Sequence, residues 1–313
     1  LLKMINCLNW MSVLLAKVKT FLAHLIIARK QMPTVKKTVK KKRAKKARNV
    51  LDRIGPIDFG DDGIKINLYG KSGTGKTTLW STFPSPILAI VCSGSMKPGE
   101  LRSINTKENR KRIQQVTIQN SLEIKELIDF QKETEKFKTI VLDHASGLQD
   151  FVLKEILGLD ELPAQSSWGM AKQQDWGQCG LRMKELLRAL LGLDCNVVIV
   201  AQERDFNADT ESDLLMPFVA SALTPSVVGW LNPTCDYICQ TFIRQKTKTV
   251  TRKIGGKTTT TTQKGKGVEY CLRTAPDEIY TTKFRIPRGG EALPDVIVDP
   301  SFSKIKKLID QGG

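Results

Sequence analysis

Residues 64–80 constrain this chain more than any other stretch. Ile64-Lys65-Ile66-Asn67-Leu68-Tyr69 alternates apolar and polar side chains with the two-residue period of a strand. Gly70-Lys71-Ser72-Gly73-Thr74-Gly75-Lys76-Thr77 follows directly, and Thr78, Leu79 and Trp80 open a helical pattern. A strand that turns into a helix through G-x-x-x-x-G-K-[ST] is the context this short pattern needs to carry meaning. Glycines let successive backbone N–H groups curl round an anion without Cβ clashes, and the helix adds the positive end of its dipole. Residues Gly70, Lys71, Ser72, Gly73, Thr74, Gly75, Lys76, Thr77 and Thr78 therefore read as a phosphate-binding loop. The Lys76 ammonium suits the β- and γ-phosphates, and the Thr77 hydroxyl suits a Mg²⁺ shell.

A magnesium carboxylate belongs at the end of another buried strand. Lys138-Thr139-Ile140-Val141-Leu142-Asp143 is an apolar run ending in Asp143, which the pattern assigns to the metal. Asp143 as a helix cap is the competing reading, because the residues from Ala145 onward look helical. A third apolar run, Asn196-Val197-Val198-Ile199-Val200-Ala201, ends in Gln202-Glu203. A polar residue there faces the γ-phosphate if this strand lies beside the Asp143 strand. Helical patterns at Ser121–Glu135, Ser146–Leu159 and Trp176–Leu191 alternate with these runs, which argues a parallel, doubly wound sheet.

A phosphate loop, an Asp-tipped strand and a Gln-tipped strand in this order resemble the RecA-like ATPase core. The likeness is to phage-encoded RecA-like ATPases described as nucleotide-binding or single-strand annealing proteins, over roughly residues 62–311. It implies an α/β fold: a RecA-like P-loop NTPase core whose mainly parallel sheet is flanked by helices, with a C-terminal antiparallel β-hairpin region. It also implies ATP and Mg²⁺ as cofactors, Lys76 and Thr77 on phosphate and metal, Asp143 as the second metal group, and Gln202 as the γ-phosphate sensor. Lys283-Phe284-Arg285, ahead of Gly289-Gly290, is similar to the K-x-R finger of DnaB-type helicases. In RecA-like assemblies that finger reaches the nucleotide of the neighbouring subunit, so the resemblance implies a homo-oligomer. Two cations two residues apart on a strand share a face and can approach one anion, whereas a solvated edge strand is the plainer reading. One expected residue is missing. The strand Ile87–Cys92 runs into Ser93-Gly94-Ser95, and the first carboxylate after it is Glu100, where the family places an acidic residue that aligns water. Glu203 is the other candidate base.

Charge separates the chain into two parts. Residues 1–48 hold 14 Lys or Arg and no Asp or Glu, while residues 49–313 hold the other 35 against all 32 acidic residues. Residues 1–49 read as a basic, disordered extension and residues 50–313 as the ATPase domain. The Lys36–Arg48 run attracts polyanions by releasing their counterions, or serves as a solubilising tail. Lys17 and Lys19 cut the apolar stretch 4–28 into pieces too short to span a membrane, so no membrane partner is expected. Met32-Pro33 resembles a start, and residues 1–31 are expected to lie outside the working protein. Seven cysteines without C-x-x-C spacing favour free thiols and a cytoplasmic setting, the host's if the chain is phage-encoded.

Between Asp236 and Glu269 there is no acidic residue, but there are Arg244, Lys246, Lys248, Arg252, Lys253, Lys257, Lys264 and Lys266. Gly255-Gly256 and Thr258–Thr262 suggest a flexible tip between strands at 236–245 and 268–274. A basic hairpin insertion at about 244–268 suits the backbone of single-stranded DNA, and a solvated insertion is the alternative. The segment after Gln202 is acidic (Glu203, Asp205, Asp209, Glu211, Asp213) and repels phosphates. Trp168 and Trp176 could stack on bases, although core packing is the commoner use. The expectation is an ATPase acting on single-stranded DNA in recombination or annealing. The rivals are a non-hydrolysing ATP-gated binding module and, less favoured, a helicase-like motor.

Overall fold

The computed structural model describes residues 63–92, 100–159, 171–206, 217–254, 257–286 and 293–310. All lie in the compact unit Gly60–Gly313. The basic extension, its boundary at 49/50, residues 1–31, Trp168 and most of the acidic segment fall outside them.

The alternating segment before the phosphate loop becomes β1 (Lys65–Gly70), and the two apolar runs become β4 (Thr139–Asp143) and β5 (Asn196–Ala201). Two further strands, β2 (Ile87–Val91) and β3 (Ile113–Thr117), extend the sheet to its edge. On the other side of β1 stand β8 (Tyr237–Ile254), β9 (Lys257–Arg273), the short β10 (Lys283–Phe284) and β11 (Val296–Val298). The order is β11-β9-β8-β1-β5-β4-β2-β3, with β10 on β8 next to where β9 ends. Strands β8, β1, β5, β4, β2 and β3 are mutually parallel, whereas β9, β10 and β11 enter antiparallel. A separate hairpin joins β6 (Glu203–Phe206) to β7 (Phe218–Ser221).

Strands buried on both faces read as continuous apolar runs because helices cover each side. Beneath one face lie α3 (Leu122–Thr134), α4 (Ala145–Ile156), α5 (Gln173–Leu191) and α6 (Pro225–Thr234). Ile124, Ile128, Leu148, Val152, Met183, Leu187 and Leu231 from these helices meet Ile140, Leu142, Val197 and Ile199 of the sheet. The alternate residues Val141, Val198 and Val200 face the other way, toward Leu79 and Trp80 of α1 (Lys76–Trp80) and Ile305 of α7 (Phe302–Asp310). A single turn, α2 (Asn109–Arg112), leads into β3. Cys92, Cys179, Cys195, Cys235, Cys239 and Cys271 are free and buried. Trp176 lies in the first turn of α5, half-buried against the same core as α4.

The hairpin differs from its sequence reading. Strand pairing runs on through Thr249↔Thr262, Thr251↔Thr260 and Ile254↔Lys257, so the threonine run is ladder and only residues 255–256 remain between the strands. β-Branched threonine fits a pleated strand better than an open tip. Strand β8 pairs with β1 only through Thr241, and from Phe242 to Ile254 its partner among the described residues is β9 alone. At about 3.3 Å per residue, this two-stranded ribbon extends roughly 40 Å from the sheet. It leaves at the carboxyl ends of the parallel strands, beside Gly70, which pairs with Thr241.

Candidate nucleotide-binding site

The carboxyl ends of β1, β4 and β5 meet at one rim, where ligands of open α/β sheets bind. Strand β5 lies between β1 and β4, with Leu68↔Val200 on one side and Leu142↔Ile199 on the other. The sequence condition on Gln202, that its strand adjoin the Asp143 strand, is therefore met. A cleft of about 450 Å³ opens at the rim, lined by Ser72, Gly73, Gly75, Lys76, Thr77, Thr78, Ser103, Asp143, His144, Gln202 and Tyr270.

The loop is shaped by its glycines. Gly75 has φ 89°, a left-handed conformation that an L side chain resists, and it delivers the chain into α1. At Gly70 a Cβ would come within 2.3 Å of the Thr241 carbonyl oxygen, so only glycine lets the loop start so close to β8. The Thr74 hydroxyl donates to Lys71 O or shares its proton with Thr241 Oγ1, at 2.8 and 2.7 Å. The Lys76 side chain folds back over the loop, donating from Nζ to Gly70 O at 2.6 Å and Lys71 O at 2.8 Å. Burial lowers its pKa, while Asp143 and Glu203 act in the opposite direction. A buried ammonium held by two carbonyls at the cleft wall is placed to exchange them for phosphate oxygens.

Asp143 is buried at the tip of β4, and the next residue supplies the helix cap. His144 is the cap of α4, its Nδ1 accepting from Gly147 N at 2.8 Å, so Asp143 is not needed as a cap. The Asp143–His144 peptide is cis. Trp80 Nε1 donates to Asp143 Oδ2 at 2.9 Å, the only hydrogen bond to this carboxylate among the described residues. Burial raises the Asp143 pKa above the usual carboxylate range, with Trp80, His144 and Lys76 opposing. A buried carboxylate with one oxygen open, facing the same cleft as the Thr77 hydroxyl, is the hard-oxygen pair that suits Mg²⁺.

Gln202 reaches this cleft, and Glu203 does not. Glu203 lines a neighbouring chamber of about 340 Å³ on the other side of the loop, with Lys71, Ser72, Thr74, Gln240, Thr241 and Arg273. Its Oε2 accepts from Gln240 Nε2 at 2.9 Å, and its Oε1 lies 3.8 Å from Lys71 Nζ.

Lys283 and Arg285 lie toward the starting end of β8, away from the loop. Lys283 pairs with Ile238 near the start of β8, whereas the loop begins at the level of Thr241. Lys283 Nζ donates to Asn232 O, Pro233 O and Cys235 O at 2.7, 3.1 and 2.5 Å, closing the carbonyl end of α6. Arg285 donates to Asp236 Oδ1 at 2.8 Å and Pro233 O at 2.9 Å. As the two-residue spacing implies, both side chains converge on one acceptor, the Pro233 carbonyl; within the chain that acceptor is a helix end.

Two residues at the cleft belong to no sequence motif. Trp80 read only as the third residue of a helix. Tyr270, in β9, stands against the loop, so that a Cβ at Gly75 would lie 3.1 Å from its Cδ1. With Thr78, Leu79, Asp299 and Pro300 it lines a side pocket of about 240 Å³ that adjoins the cleft. Its only sequence signal was an aromatic at the root of a predicted hairpin.

A glycine-bent loop running from strand into helix, beside a buried Asp-tipped strand two places away, defines a P-loop nucleoside triphosphatase core. Residues 62–286 match the family model of an AAA domain, and the chain belongs to that family. Membership implies ATP binding. No curated protein matches the chain significantly.

Proposed function

We propose that this chain is a RecA-like, phage-type ATPase that binds ATP and Mg²⁺ at Lys76, Thr77 and Asp143 and acts on single-stranded DNA in recombination or annealing. The observation that supports it is the ribbon: a two-stranded projection rooted on the phosphate loop, carrying eight Lys or Arg and no acidic residue between Asp236 and Glu269. Such a surface follows a phosphate backbone without reading bases. The phosphates lie on the loop amides and Lys76, and the nucleobase lies toward Tyr270, Asp299 and Pro300. Mg²⁺ supplies positive charge at the phosphates, and Thr77 and Asp143 hold it. Gln202 faces the terminal phosphate from β5.

In this reading the subunits assemble with nucleotide between them. Lys76 is the one cationic side chain lining the cleft among the described residues. Lys283 and Arg285 are bonded to the carbonyl end of α6 and to Asp236 rather than to their own loop, so in this reading the nucleotide they meet is a neighbour's. The test is ATP turnover and single-strand binding measured on one preparation across a salt series. Substituting Lys246, Lys248, Arg252 and Lys253 by Gln should weaken binding to all sequences and flatten the salt slope. If only removal of residues 36–48 does so, the ribbon is not the DNA surface.

A second reading, an ATP-gated module that turns over little nucleotide, is favoured by the lining of the cleft. Its only carboxylate among the described residues is Asp143, which suits the metal, and Glu203 lies outside. Steady-state turnover that stays near background with saturating single-stranded DNA, alongside tight ATP binding, selects this reading.

A further inference from the structure

We propose that Glu203 and Gln240 are positioning residues that link the phosphate loop to the root of the ribbon, so that nucleotide on the loop changes the ribbon's stability. The inference rests on the nucleotide reading of the loop and goes beyond it.

The root of the ribbon is Gln240↔Arg273, the first facing pair of β8 and β9. These two side chains are themselves bonded, Arg273 Nε donating to Gln240 Oε1 at 3.1 Å. Gln240 is buried and spends its amide N–H on Glu203 Oε2 at 2.9 Å. Arg273 continues the chain to Asp277 Oδ2 at 2.6 Å, its guanidinium lying over the Tyr280 ring at 4.4 Å. Glu203 is only 7% exposed, and its other oxygen faces the Lys71 ammonium at 3.8 Å. The relay therefore runs Lys71, Glu203, Gln240, Arg273, Asp277, with one end on the phosphate loop and the other beyond the ribbon's root. A second strut runs beside it, the Thr74–Thr241 hydroxyl contact at 2.7 Å.

Two features make this chain responsive to nucleotide. Lys71 belongs to the loop that receives the phosphates, and its side chain is 77% exposed, free to turn toward new negative charge. A triphosphate therefore competes with Glu203 for the Lys71 ammonium. Glu203 also follows Gln202 directly, so the residue in the cleft and the residue in the relay share a peptide unit. A shift of Gln202 toward a terminal phosphate carries the Glu203 backbone with it. Because Gln240 has no second acceptor for its amide in the relay, displacement of Glu203 loosens the Gln240–Arg273 pair that closes the ribbon. Linkage is reciprocal: a ligand that fixes the ribbon changes nucleotide affinity by the same factor.

The test is amide hydrogen exchange over residues 240–247 and 268–273, with and without an ATP analogue that resists hydrolysis, on the full chain. Nucleotide affinity is measured in parallel by titrating a fluorescent ATP. In the wild-type chain, nucleotide is expected to change exchange at these amides by about 5-fold or more. Gln240→Leu, which keeps the side-chain volume and removes both hydrogen bonds, should abolish that change while ATP affinity stays within about 2-fold. Glu203→Gln retains an acceptor for Gln240 and should keep part of the response, whereas Glu203→Leu should lose it. Exchange in β4 serves as the folding control; should Gln240→Leu disturb it, the Glu203→Gln and Glu203→Leu pair decides. If ATP binds and the root responds equally in wild type, Gln240→Leu and Glu203→Leu, the relay is overturned and the nucleotide reading stands. Absence of ATP binding to the wild-type chain overturns both.

Discussion

The Trp80 indole, at the last residue of the helix that Lys76 begins, donates to the Asp143 carboxylate at 2.9 Å from a position 63 residues away in sequence. Trp80 is fully buried. The bond ties the phosphate-loop helix to the tip of β4, so the two candidate Mg²⁺ groups, Thr77 and Asp143, are held at a fixed separation by an aromatic clamp. Trp80→Phe keeps the ring and deletes the donor. A buried carboxylate that loses a hydrogen bond costs about 1–3 kcal/mol. Denaturant unfolding should show that loss, and Mg²⁺-dependent ATP affinity should fall more than Mg²⁺-independent affinity; equal losses would mean the clamp has no bearing on the metal.

Asp143 also predicts how the nucleotide-free chain responds to pH. Its folded pKa is raised, chiefly by burial, so the fold favours the protonated form. That contribution is present below the ordinary carboxylate range and is lost as pH rises through the folded value. Asp143→Asn removes the ionisation while keeping an acceptor for Trp80. Without nucleotide, the variant should melt higher than wild type at neutral pH, with the advantage shrinking as pH falls. A melting difference that does not vary with pH would contradict the burial argument.

Lys76 is bonded to loop carbonyls that water can serve in its place. Lys76→Ala should leave the melting temperature nearly unchanged and weaken nucleotide binding by about 10-fold to 100-fold, the range for hydrogen bonds to charged groups. Unchanged affinity together with unchanged turnover would remove the loop assignment.

Tyr270 separates recognition of base from recognition of phosphate. Tyr270→Ala should weaken ATP by roughly 3-fold to 10-fold, as for loss of an aromatic contact, with Tyr270→Phe close to wild type. Tripolyphosphate affinity should be the same in all three chains. A parallel loss of tripolyphosphate binding would place the ring's effect on the loop itself.

Lys283 and Arg285 should divide their effects. Lys283 donates to three carbonyls at the end of α6, so Lys283→Ala should cost about 1–3 kcal/mol of stability. Arg285 is more exposed, with its guanidinium on Asp236, and Arg285→Ala should cost less than about 1 kcal/mol. A large loss of turnover in Arg285→Ala then reports action on a neighbour's nucleotide. Mixing it with Lys76→Ala should restore partial activity; no recovery after confirmed subunit exchange would end that assignment.

What could be read from the sequence followed the range of the interactions involved. Strands β4 and β5 were legible because helices bury both their faces, leaving apolar runs that punctuation bounds cleanly, and β1 because its apolar and polar residues alternate ahead of the phosphate loop. The phosphate loop was legible because its chemistry is contiguous. Trp80 and Tyr270 were not, since each acquires its role from a partner brought in by the sheet. The cap of α4 was misplaced by one residue in the competing reading of Asp143, because His144 is a less common capping residue. The Thr258–Thr262 run misled because polarity suggested a loop, whereas pairing with Thr249–Lys253 satisfies its backbone and suits its branched Cβ.

The ribbon's length has a mechanical consequence. A two-stranded arm of roughly 40 Å, rooted where β8 pairs with β1 through Thr241 and β9 pairs with β11 at Cys271–Arg273, acts as a lever whose fulcrum adjoins the phosphate loop. A tilt of about 5° at the fulcrum sweeps the far end through some ~3.5 Å, close to the ~3.4 Å rise between successive nucleotides of one DNA strand. Adjustments at the loop too small to register as a change of fold therefore amount, at the end of the arm, to a displacement of several ångströms.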